Sequence, residues 1–170
     1  MNPATANLDL FASNSGATFS DCRKYRYQLF REWDPDSTTC VFIGLNPSTA
    51  DESVNDPTIR RCIQFAKDWG YGRLVMLNLF AYRSTDPSVL SSLPDPIGPE
   101  NNFHILEICK TAGIVVAAWG NHGTLLNRHI GIVELLEQQV KLMCLKTTGS
   151  GQPIHPLYQP RTSVPSMYRG

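Results

Sequence analysis

Four polar groups in this 170-residue chain stand just past the end of an apolar run, where a chain most readily builds chemistry. Asn46 follows Val41-Phe42-Ile43-Gly44-Leu45 and opens the turn-prone stretch Asn46-Pro47-Ser48-Thr49-Ala50-Asp51. Asn78 closes the apolar run 74–79, and His122 lies in Gly120-Asn121-His122-Gly123 after the run 114–119. His155 follows the run 140–145, flanked by Pro153 and Pro156. A carboxamide presents one donor and one acceptor side, and an imidazole changes charge near neutral pH. Gly44 permits close backbone approach and Pro47 stiffens the turn. Taken singly, each group has an ordinary alternative. The Gly44 stretch is then a plain strand-to-loop junction, Asn78 a turn cap, His122 a solvent-facing loop residue and His155 a partner for a backbone carbonyl.

The elements that must position these groups are legible as alternating patterns. Residues 23–33 (RKYRYQLFREW) alternate and predict a strand ending at Asp34-Pro35-Asp36. The runs 40–45, 74–79, 114–119 and 140–145 predict short buried strands. Residues 57–69 carry Ile59, Cys62, Ile63, Ala66 and Trp69 at helical spacing. Asp56-Pro57 supplies an N-cap with a first-turn proline, and Gly70 a stop. Helices are also expected at 102–111 and 125–139. Strands alternating with helices predict an α/β three-layer sandwich with a mainly parallel central sheet, plus an antiparallel N-terminal edge strand from 23–33. Parallel strands point their carboxyl ends the same way, so Asn46, Asn78, His122 and His155 are expected on one rim.

The rest of the chain sets limits. Residues 1–20 read as a loosely held arm and 21–170 as one domain. Residues 84–101 form a long loop with four prolines, expected to be a lid beside the cleft and not a packed element. Residues 147–170 read as irregular. Fifteen Lys plus Arg balance fifteen Asp plus Glu, which argues against nonspecific coating of nucleic acid. The five cysteines are scattered without CxxC spacing, which gives no support for a metal or cluster and fits a reducing cytoplasm. No apolar run approaches membrane-spanning length, and the N-terminus lacks the order of a signal peptide. No cofactor is called for.

The blocks Gly44-Leu45-Asn46-Pro47-Ser48-Thr49-Ala50-Asp51, Asp56-Pro57-Thr58-Ile59-Arg60-Arg61, Asn78-Leu79-Phe80-Ala81, Asp95-Pro96-Ile97-Gly98, Ala118-Trp119-Gly120 and His155-Pro156-Leu157-Tyr158 resemble the signatures of an uncharacterised bacterial and phage family. That resemblance covers residues 25–158 and carries no function. More distantly, four blocks are similar in order and strand placement to the uracil-DNA glycosylase superfamily. There a Gly-x-Asn/Asp-Pro loop positions the attacking water and a Leu-x-Asn amide reads the base. A Trp-Gly pair ends a third strand, and a His-Pro loop stabilises the leaving base. The corresponding segments here are Gly44-Leu45-Asn46-Pro47, Leu77-Asn78, Trp119-Gly120 and His155-Pro156.

That resemblance implies N-glycosidic cleavage of a uracil-like or modified base, the bond's electrons leaving with the base. Asn46 would orient the water, with Asp51 or Asp56 as proton acceptor and His155 as donor to the departing base. Asn78 would read the base edge, with Phe80 or Phe42 stacked on it. Gly44, Leu45, Pro47, Ser48, Trp119 and His122 would line the pocket. Leu157 or Tyr158 would wedge into a base stack, with Arg161 on a phosphate. The chain departs from DNA-gripping members: His155-Pro156-Leu157-Tyr158 lacks their serine, and no basic cluster matches a duplex footprint. The partner is therefore a nucleobase-containing ligand or DNA, a free nucleotide or nucleoside included. The alternative is a non-catalytic nucleotide- or nucleic-acid-binding module on the same fold.

Overall fold

Apolar runs buried on both faces pair side by side. The computed structural model describes residues 14–170. Seven strands form one sheet: β1 (Asn14–Phe19), β2 (Arg26–Glu32), β3 (Thr39–Gly44), β4 (Arg73–Asn78), β5 (Ile114–Ala117), β6 (Leu142–Cys144) and β7 (Ser166–Met167). Their order is β1-β2-β4-β3-β5-β6-β7. The ladders β3/β4, β3/β5 and β5/β6 are parallel, and β1/β2, β2/β4 and β6/β7 antiparallel. The sheet is thus mixed, a four-stranded parallel centre with antiparallel strands on both sides. Parallel strands reach this centre through helical crossovers, which cover both faces and keep the strands apolar throughout.

Three helices supply the crossovers: α1 (Pro57–Asp68), α2 (Asn101–Lys110) and α3 (Arg128–Leu136). Helix α1 starts as its sequence requires, with Asp56 Oδ1 accepting from Ile59 N at 2.8 Å and Pro57 in the first turn. Its buried face, Ile59, Cys62, Ile63, Phe65 and Ala66, packs with Cys40, Phe42, Leu74, Met76, Val116 and Ala118. The opposite core joins Val41, Ile43, Val75, Leu77, Val115 and Ala117 to Ile105 and Cys109 of α2 and Ile132 and Leu136 of α3. Successive residues of one strand serve different cores, as the two-residue period demands. The result is helix, sheet, helix: a three-layer α/β arrangement.

Several expectations are corrected. The segment at 23–33 is not the edge, because β1 pairs outside it from Asn14 to Phe19. Strand β1 also removes residues 14–19 from the expected arm, whose residues 1–13 lie outside the described residues. Residues 84–101 are packed. Their 3-10 turn Pro87–Ser92 buries Leu90, Leu93 and Ile97 press on the α2/α3 core, and Ile97 O accepts from Ala81 N at 3.0 Å. Four prolines lower the conformational cost of ordering such a segment. The C-terminal stretch adds the 3-10 turn Pro156–Tyr158 and β7. Of the cysteines, Cys40, Cys62, Cys109 and Cys144 are buried free thiols and Cys22 is exposed. Among the described residues no helix is long and apolar enough to cross a membrane.

Candidate functional site

The parallel strands run β4-β3-β5-β6, so the chain sweeps from β3 to one side and then returns to the other. Open α/β sheets bind ligands where that reversal opens a crevice, here between the carboxyl ends of β3 and β5. Strand parity decides which side chains reach the crevice on the α1 face. Phe42 and Met76 face α1, so Gly44 and Asn78, two residues on, continue the same rows. A Cβ at Gly44 would lie 3.0 Å from Asn78 Nδ2 and 2.8 Å from Met76 Cε. Glycine here keeps the amide of Asn78 clear.

Asn78 is held from behind by a residue the sequence reading passed over. Arg26 is 3% exposed and donates from Nη2 to Asn78 Oδ1 at 3.3 Å and from Nη1 to Ala50 O at 2.9 Å. A bulge explains its position. Phe19 pairs with Arg26 while Thr18 pairs with Gln28, so Tyr27 is the extra residue. Leu29 packs on the α1-side core and Arg31 holds the loop before α1, whereas Tyr27 stacks on His104 of α2. Regular alternation would place Arg26 opposite Arg31; the bulge returns it to the α1 face. Burial lowers the Arg26 pKa to about 10, with Asp56 and Asp51 opposing that shift, so the guanidinium stays charged at neutral pH. Asn78 itself is 3% exposed, with its acceptor engaged by Arg26 and its Nδ2 donor beside Gly44.

Arg31 works beside it. Its Nε donates to Asn55 Oδ1 at 2.8 Å and its Nη2 to Asp51 O at 2.7 Å and Val54 O at 3.3 Å. Two buried arginines thereby bind the backbone of the loop 46–56. Arg26→Met should cost about 2–4 kcal/mol, since it strands the buried Asn78 and Ala50 acceptors. Urea unfolding measures this, and a loss within about 0.5 kcal/mol would show that the clamp is unimportant.

The His155 segment crosses the rim from β6. Gly120 N donates to Pro153 O at 2.8 Å and Ile154 N to Lys146 O at 2.9 Å, while Arg61 Nη2 of α1 donates to Gln159 O at 2.6 Å. His155 is half-buried, and its Nδ1 accepts from Leu157 N at 3.2 Å. Burial pushes the imidazole below its ordinary pKa, against the pull of Asp56. It is therefore neutral at pH 7 with its proton on Nε2, a donor. Asp56 acts electrostatically on both Arg26 and His155, so the three form one neighbourhood.

Asn46 Nδ2 donates to Ser84 O at 2.9 Å and Pro47 O at 3.1 Å, which leaves Oδ1 as its acceptor side. Backbone bonds from Leu79 N to Gly44 O, Phe80 N to Leu45 O and Ser84 N to Pro47 O join the two loops. Asp51 is taken up locally: its Oδ1 accepts from Ser53 N and Val54 N, which lowers its pKa. Ser48 is exposed and Pro47 buried.

Other expected site residues fall elsewhere. Phe80 and Phe42 are fully buried, Phe42 against Phe65 and Trp69, so neither stacks on a ligand. Trp119 continues the row of Val115 and Ala117 into the α2/α3 core, where it meets Tyr168 edge-on and bonds Gln152 Oε1 at 3.0 Å. Leu45 packs on that same core. His122 is exposed, next to Asn121, which accepts from Thr148 and Ser150. Arg161 is committed to Asp68 through two bonds of 2.9 and 3.1 Å. Leu157 and Tyr158 are exposed, and Leu157 borders an open depression with Pro57, Arg60, Arg61 and Gln64. Among the described residues no His, Cys, Asp and Glu cluster could hold a metal.

The fold and rim define an α/β protein with polar side chains gathered at the carboxyl ends of its parallel strands. Residues 26–157 match the family described as "Protein of unknown function (DUF1643)", well over half of the chain, and the chain belongs to that family. No curated protein and no solved structure matches it.

Proposed function

We propose that this protein is a nucleobase-related hydrolase of the uracil-DNA glycosylase kind that cleaves an N-glycosidic bond. The observation that carries the reading is the Asn78 carboxamide, 3% exposed at the carboxyl end of its strand, with Oδ1 held by buried Arg26 and Nδ2 beside the side-chain-free Gly44. A fixed donor at a strand end suits a carbonyl on a base edge, because its orientation is set before the ligand arrives. Cleavage leaves positive charge on the sugar and negative charge on the base. His155 Nε2–H would donate to the base oxygen, and Asn46 Oδ1 would accept from the attacking water. Each carboxylate caps backbone N–H groups through Oδ1, and Asp56 is preferred to Asp51 as proton acceptor because it alone acts on both Arg26 and His155. The setting would be the cytoplasm, where buried free thiols persist.

A second reading, a non-catalytic base-binding module, is favoured by one feature: the Asn46 amide holds Ser84 and so has a sufficient structural role. The deciding assay is base release from single- and double-stranded DNA, RNA and nucleosides carrying uracil or modified pyrimidines. Asn78→Asp should change which base is accepted, since a carboxylate offers no donor. Wild-type protein that binds a base-bearing ligand but releases nothing would replace the hydrolase by the module. Protein that neither binds nor cleaves would leave both without support.

A further inference from the structure

Beside the rim lies a cationic feature that the site described above does not use. Phe19, the last residue of β1, carries two guanidiniums: Arg23 Cζ is 4.0 Å and Arg83 Cζ 4.6 Å from its ring centroid. Arg83 Nη1 donates to Arg23 O at 3.2 Å, and Arg83 N donates to Lys24 O at 2.9 Å. Arg23 sits at φ 57°, a left-handed conformation costly for a non-glycine residue, so the turn holds like charges together at some expense. Glu52 neutralises only one of the pair, accepting from both Nη atoms of Arg23 at 3.1 Å. Among the described residues Arg83 makes no ion pair.

Arg83 is also close to the crevice. It depresses the pKa of Arg26, the residue that orients Asn78, and the next carbonyl, Ser84 O, holds the Asn46 amide. We propose that Arg83, braced on Phe19 beside Arg23, is an anion subsite that takes the phosphate of the base-bearing ligand. This rests on the nucleobase reading and names its substrate class: a nucleotide, free or within a strand, in preference to a nucleoside. A guanidinium fork matches phosphate oxygens, and stacking on a ring pre-organises it without using its in-plane donors. The ring lowers the cost of holding the unpaired cation, and a bound phosphate would offset the repulsion between Arg83 and Arg26.

Calorimetric titration at low salt tests this with four probes: inorganic phosphate, a pyrimidine nucleoside, its 5′-monophosphate and a short oligonucleotide. Wild type should bind the monophosphate or the oligonucleotide about tenfold or more tightly than the nucleoside. Arg83→Gln should erase that difference, and Arg83→Lys should keep part of it. A preference for the oligonucleotide alone would assign the phosphate to a strand, and a preference for the monophosphate to a free nucleotide. Phosphate binding that Arg83→Gln abolishes, with no base-bearing ligand bound, would support the subsite and sink the nucleobase reading. Equal binding of nucleoside and nucleotides to wild type, or an unchanged preference in Arg83→Gln, would overturn the subsite and leave the base site standing. Should Arg83→Gln fold poorly by circular dichroism, Arg83→Lys decides, since an undiminished preference there removes the role of the fork.

Discussion

His155→Ala and Asn46→Ala are each expected to slow base release by roughly ten- to a thousandfold while ligand affinity survives, the range for removing one positioned group from a charge-developing site. His155 would act on the departing base, where negative charge appears only as the bond breaks. Its loss should therefore lower kcat more than it raises KM. The pH profile gives an independent check. Burial holds the imidazole neutral below its ordinary value, so a donating Nε2–H predicts a rate that is flat as pH falls from 8 toward 6.5. The rate should change only below that point. A rate that climbs steadily through pH 7.5 to 6.5 would instead mark imidazolium as the acting species and sink the neutral-donor assignment. The same shift has a sign for stability. The unfolded state binds the proton first, so stability is complete above the ordinary pKa and is lost as pH falls through the folded value.

Trp119→Ala should cost about 3–5 kcal/mol, the usual penalty for emptying a large buried aromatic site. The indole is 2% exposed, bonds buried Gln152 and meets Tyr168 at 5.7 Å. Gly123 closes over it so tightly that an added Cβ would collide with the indole ring. Truncation would leave a cavity, and Gln152 would lose its partner. Guanidinium unfolding measures the loss, and a change below about 1 kcal/mol would contradict the packing role. The milder Trp119→Phe should leave ligand affinity unchanged, because the side chain lies on the face away from the crevice. Weakened binding in a stably folded Trp119→Phe protein would return Trp119 to the site.

By itself, the sequence determined the order and type of the central elements. Short apolar runs in residues 40–45, 74–79 and 114–119 predicted strands, and Asp56-Pro57 with the helical spacing that follows placed α1 within a residue of its ends. These signals are local: strand burial, helix caps and periodicity act between near neighbours. Even the burial of Trp119 was legible, since it shares the parity of Val115 and Ala117. The resemblance of Trp119-Gly120 to a strand-ending Trp-Gly pair pointed the other way.

Only the tertiary structure decided which rim groups are free to act. Nothing in residues 23–33 announces that one extra residue in β2 turns Arg26 toward Asn78, because a bulge is defined by the pairing of two strands. Nor does sequence order distinguish Asp51 from Asp56. Both carboxylates accept backbone N–H groups and both act on Arg26, but only Asp56 also acts on His155. The packing of residues 84–101 likewise depends on distant partners, Ala81 and Tyr25 among them. Local spacing states what a segment prefers to be. Which of its polar atoms remain unpaired depends on what the rest of the chain brings against it, and those unpaired atoms are the ones available to a ligand.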